Sequence, residues 1–150
     1  MERHWTRRLK RRMLRHGDDP KLLEVMVPMA VQTAVRYERK DARRAVDETQ
    51  KNLGLNDGEL AKLLGVDRRT ILRYRKEATA PSGEVRQRIQ ALRDLFYLLD
   101  QVFRTDEDAK DWLYSPVLSL RARRPIDLLR AGKLDEVVSE LAGLDSGVFT

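Results

Sequence analysis

Residues 56–76 read NDGELAKLLGVDRRTILRYRK: two short stretches of helical periodicity on either side of a glycine, each opened by a residue able to cap a helix. Asn56 with Glu59 three positions later has the form of a capping box: each side chain accepts the other residue's backbone amide. Asp67 stands where it can accept the free amides of the second helix. Gly65 falls where the chain needs a left-handed residue to turn. Ala61, four residues earlier, is small enough for two steeply crossed helices to approach closely. Leu60, Leu64, Val66, Ile71 and Tyr74 then supply a shared core. Cap, glycine, small residue and apolar positions all fall on the register of a helix-turn-helix.

What remains outward on the second helix is Arg68, Arg69, Thr70, Arg73, Arg75 and Lys76, with Leu72 at the edge. A basic face is often only a solvated one, but here the register turns the expectation to DNA. Arginine's planar fork can donate to guanine O6 and N7 together, which suits Arg68, Arg69 and Arg73 to bases. Arg75 and Lys76, nearer the helix end, suit phosphates, and Leu72 can touch a thymine methyl.

The rest of the chain is also expected to be helical, because apolar residues recur every three or four positions and no alternating β-branched run appears. The expected organisation is a basic arm and extra helix over 1–40, a helix-turn-helix domain with its connecting helix over 41–104, and a small helical module over 105–150. Within the arm, residues 1–16 hold seven Arg and Lys, with Trp5, Leu9 and Met13 as an apolar line. Such an arm can follow DNA phosphates, lie on a membrane surface, or pack on its neighbour. One or two helices are expected between Lys21 and Leu53, with Leu22, Leu23, Met26 and Met29 in one apolar patch and Ala42, Val46, Thr49 and Leu53 in another. Ser82 can cap a long helix reaching about Arg104. Its Val85, Ile89, Leu92, Phe96, Leu99 and Phe103 form a seam to be covered by the same chain or by a second copy.

Charge divides the chain unevenly. Residues 1–104 hold 24 Lys and Arg against 15 Asp and Glu, a net of +9, while residues 105–150 hold 6 against 9, a net of −3. Different partners are therefore expected at the two ends. With no cysteine there is neither a disulfide framework nor a thiolate metal site. No apolar run is long enough to span a bilayer, and a cytoplasmic protein without a membrane partner is expected. His4 and His16 lie in the basic arm without a ligand or nucleophile beside them, and no phosphate-cradling glycine loop exists. No enzymatic activity, metal or cofactor is expected.

In the last third, Thr105 with Asp108 opens a helix carrying Trp112 and Leu113 and stopped by Pro116; Pro125 opens another, closed by Gly132. A final helix shows Leu134, Val137, Val138 and Leu141 on one stripe, with Gly143 expected just beyond it. Val148, Phe149 and Thr150 follow, and Phe149 can fold back on its own module or enter a partner.

Trp112 and Leu113 before Pro116, Leu120, Pro125 with Asp127, Leu128 and Leu129, then Gly132, Val137, Leu141 and the closing Gly147-Val148-Phe149 occur in an order that resembles the C-terminal toxin-binding domain of the Xre/MbcA/ParS antitoxin family. The resemblance covers about residues 55–150, with the helix-turn-helix ahead of that domain. It implies an all-α fold and an antitoxin that binds a RES-domain toxin, an enzyme that consumes NAD, and that represses its own operon through operator DNA. It implies toxin contacts at Trp112, Gly147, Val148, Phe149 and Thr150, with the C-terminal end at the toxin's active site. A homodimer and a hetero-oligomer with the toxin are the expected assemblies. The alternative is a plain repressor whose last third only dimerises.

Overall fold

The computed structural model describes the backbone of residues 20–147 and the side chains of residues 36–147. The basic arm with His4 and His16, the side chains of Leu22, Leu23, Met26 and Met29, and Val148, Phe149 and Thr150 lie outside the described residues. The elements are α1 (Pro20–Leu53), α2 (Asp57–Leu64), α3 (Arg68–Arg75), α4 (Gly83–Val102), α5 (Asp106–Tyr114), a 3-10 turn (Leu118–Leu120), α6 (Pro125–Arg130) and α7 (Leu134–Ser146). The fold is all-α. Among the described residues no strand forms, and Val117 and Arg123 make an isolated antiparallel bridge. Residues 39–150 form one compact unit, distinct from residues 1–38.

The caps act as their chemistry dictates. Asn56 accepts the Glu59 amide and Glu59 accepts the Asn56 amide, each at 2.9 Å. Ser82 and Thr105 accept the amides of Val85 and Asp108. Each such cap stabilises its helix by roughly 1 kcal/mol. Gly65 sits at φ 67°, and its amide reaches the carbonyls of Ala61 and Lys62. Arg88 of α4 donates to the Leu63 carbonyl at 3.4 Å, adding a cation where the α2 dipole is negative.

Between Lys21 and Leu53 there is one helix of 34 residues, opened by Pro20, whose missing N–H is no loss at a first helical position. From its second half Ala42, Val46, Thr49 and Leu53 are buried. They join Leu60, Leu64, Ile71 and Tyr74 of the helix-turn-helix in the core.

The seam of α4 is covered by its own chain. Val85, Ile89, Leu92, Leu95 and Leu99 are buried, and α4 packs against α2, α5 and most extensively α7. Leu134, Val137 and Leu141 face it from α7 and are buried. Each such aliphatic side chain contributes roughly 1.5–3 kcal/mol relative to exposure. Phe96 and Phe103, at the edge of the seam, are only partly buried.

α7 extends past Gly143 to Ser146 and is capped instead by Gly147, at φ 70°, whose amide reaches the carbonyls of Gly143 and Leu144. A glycine in a helix costs about 1 kcal/mol, which does not stop a helix already fixed by Val137 and Leu141.

Gly132, at φ 79°, lies where an added Cβ would come within 2.7 Å of the Lys62 carbonyl oxygen. The C-terminal end of α6 thus runs directly against the backbone of α2. Arg130 strengthens the same junction, with its Nε 3.6 Å from Glu59.

Besides Glu77 just after α3, two successive residues without that freedom adopt left-handed backbone, Arg121 at φ 59° and Ala122 at φ 58°. Each carries a cost of roughly 1–2 kcal/mol. They close the loop between α5 and α6, in which the Val117 amide donates to Arg123 at 3.1 Å and the Ala122 amide to Val117 at 3.0 Å.

Candidate nucleic-acid interface and partner-binding module

α3 owes its orientation to its two buried residues. Ile71 and Tyr74 point into the core, and burial pushes the Tyr74 hydroxyl above its ordinary pKa. At its start, Asp67 accepts both the amide and the hydroxyl of Thr70 at 2.7 Å. These bonds hold the Asp67 carboxyl below its ordinary range, so the cap stays ionised further into acid than a free aspartate. Glu77, at φ 54°, turns the chain out of the helix. Its carboxylate meets Arg43 of α1 at 3.2 Å.

The six basic and polar positions expected on the outer face of α3 separate into two groups. Arg68, Arg69, Arg73 and Lys76 are exposed, and Leu72 stands among them with 45% of its surface open. Their spacing at successive turns puts them on one side of the helix. Thr70 is half-buried, with its hydroxyl donated to the Asp67 cap. Arg75 turns inward, 2.6 Å from Asp57 at the first position of α2. It also donates to Gln50 of α1. The bond from Arg75 holds the Asp57 carboxyl below its ordinary range. Arg75 therefore ties α1, α2 and α3 together. Nothing local in the sequence marks this inward turn, because its partners lie 18 and 25 residues earlier.

In the C-terminal module, Trp112 packs at 5.6 Å between ring centroids against Phe103. It is half-buried, while its neighbour Leu113 is buried. Much of the Trp112 surface is thus engaged in joining α5 to the end of α4. Gly147 caps α7, as described, and is exposed. Val148, Phe149 and Thr150, expected with Trp112 and Gly147 at the toxin contact, lie outside the described residues.

Around these residues the module is held by ion pairs at its surface. Arg124 forks onto Asp127 at 2.7 and 2.9 Å, which keeps the Asp127 carboxyl below its ordinary range. Arg123 meets Glu136 at 2.9 Å. The carboxylate of Glu140, which is buried, accepts the hydroxyl of Ser119. No helix among the described residues is long and apolar enough to cross a membrane.

Comparison with known proteins supplies what this geometry leaves general. Residues 41–93 match the Antitoxin Xre-like helix-turn-helix domain. Residues 98–147 match the Antitoxin Xre/MbcA/ParS C-terminal toxin-binding domain. The mycobacterial cidal antitoxin MbcA of Mycobacterium bovis is 28% identical over 99 residues, covering 66% of this chain and 87% of that protein. The MbcA of Mycobacterium tuberculosis matches over the same shares with the same identity. A chain in the crystal structure of the M. tuberculosis MbcT-MbcA toxin-antitoxin complex aligns with a TM-score of 0.47 and 26% identity, over 72% of this chain and 96% of its own length. With both domain models matched in chain order, the protein belongs to the Xre/MbcA/ParS family and is the antitoxin of a toxin-antitoxin system.

Proposed function

We propose that this antitoxin neutralises a RES-domain, NAD-degrading toxin by direct binding and represses its own operon by binding operator DNA, with no catalysis of its own. The observation that carries the first half is the match of residues 98–147 to a toxin-binding domain. In this reading residues 147–150 reach the toxin's active site, and Trp112 helps to hold the module that presents them. Coproduction with the product of the adjacent gene tests it. The toxin alone is expected to stop growth and deplete NAD, and the antitoxin to restore both and to copurify with the toxin. If the neighbour is equally toxic with and without this chain, the proposal fails.

The DNA half is supported by the exposed cations Arg68, Arg69, Arg73 and Lys76 on one face of α3. In a helix-turn-helix this face enters the major groove, where Arg68, Arg69 and Arg73 read bases and Lys76 holds a phosphate. Arg75, bound to Asp57, acts by keeping α3 at its angle. Replacing Arg69 or Arg73 by Ala is expected to weaken operator binding by roughly 1–3 kcal/mol and to relax sequence preference. Unchanged affinity in an operator titration would falsify the assignment. Two copies on one operator would place their half-sites about 34–36 Å apart.

A further inference from the structure

The loop between α5 and α6 holds one side chain in a way its own fold does not need. Leu118 is 90% exposed, while Leu120, two positions on, is buried. The loop around it is pinned at almost every position. Ser119 donates to the buried Glu140. Arg123 donates to the Leu120 carbonyl at 2.9 Å. The same Arg123 meets Glu136 on α7. The geometry is kept despite two successive left-handed residues, Arg121 and Ala122. Strained backbone that the surroundings enforce is found at binding sites more than elsewhere.

From these observations we infer that Leu118 is a preorganised apolar knob by which this antitoxin docks into a socket on its toxin, apart from residues 147–150. The inference rests on the toxin-binding reading proposed above. A side chain carried on a backbone already fixed by its neighbours brings no loop-ordering cost when a partner covers it. The socket it fits is apolar, and its rim is acidic. Arg121, exposed next to the knob, makes no ion pair among the described residues, whereas Arg123 and Arg124 are already paired. Tyr114, with 45% of its surface open, lies at the end of α5 where the loop begins. The cations suited to DNA stand on α3, whereas Leu118 stands on the loop between α5 and α6, so the toxin rather than DNA is the occupant. The knob also lies within residues 98–147, the stretch matched to a toxin-binding domain.

The test uses the full chain and the toxin purified from their complex, with affinity measured by calorimetry. Leu118→Asp is expected to bind at least about tenfold more weakly, as loss of an interface anchor does. Leu118→Met, which keeps an apolar knob, is expected to stay within about twofold to threefold of the wild type. Arg121→Glu is expected to weaken binding more at low salt than at high salt. The melting temperatures of Leu118→Asp and the wild type should agree, because the side chain is already in water. Equal toxin affinity of Leu118→Asp and the intact chain overturns the knob alone. A change in operator affinity without one in toxin affinity overturns it as well. If the intact chain captures no toxin, the toxin-binding reading falls and the knob falls with it.

Discussion

A chain that stops after Gly147 is expected to fold and to bind operator DNA like the full protein, and to lose most of its power to neutralise the toxin. The cut is placed there because Gly147 supplies the cap of α7, its amide bonded to the carbonyls of Gly143 and Leu144. Keeping it leaves the helix finished. Residues 148–150 lie 72 or more positions beyond the end of the α3 cationic face at Lys76, so that face keeps its geometry. An aromatic anchor in a partner's pocket commonly contributes about 2 kcal/mol or more, about thirtyfold in affinity. Phe149→Ala alone should therefore show much of the loss, and Thr150→Ala little of it. The measurement is growth and NAD level on coproduction with the toxin, beside a melting curve. Full protection by the shortened chain shows that these residues do not reach the active site. Early melting shows instead that Phe149 belongs to the core of its own module.

Gly132→Ala is expected to be the most damaging single methyl that can be added to the described fold. Its Cβ would stand 2.7 Å from the Lys62 carbonyl oxygen and 3.2 Å from its carbon, which are backbone atoms of α2 and cannot swing aside. The left-handed φ of 79° adds its own cost. Backbone strain and overpacking together come to about 3 kcal/mol, a fall in melting temperature on the order of 15 °C for a unit of this size. Gly54→Ala is the control: its φ is 62°, but nothing lies within 4 Å of the added carbon. It should cost about 1 kcal/mol. Melting of the two variants at the same temperature would show that α2 and α6 separate easily.

The helix-turn-helix was legible because its signals are local. A cap, a turn glycine and a small residue each act on neighbours within four positions, and Asn56, Asp67, Gly65 and Ala61 all take the places their chemistry suggests. The same locality makes Gly143 look like a helix end, although Val137 and Leu141 carry the helix through it. Periodicity places Arg75 outward, because it cannot show that Asp57 and Gln50 converge on it from two other helices. The sequence alone leaves the covering of α4 open between its own chain and a second copy. The choice depended on where α7 lies, a long-range fact. The loop with Leu118 left no trace in the apolar pattern, since a leucine in LSL reads as core whichever way it faces.

The course of α4 has a consequence for how the protein is lost. It begins beside α2 and ends beside α5, with α7 laid along it, so neither the helix-turn-helix nor the C-terminal helices have a core that survives without it. Such a unit opens in one cooperative step. A protease that acts on the open state then removes both at once, at a rate set by how often the whole unit opens. On the function proposed above, turnover would release the toxin and the operator in the same event, from a single molecule.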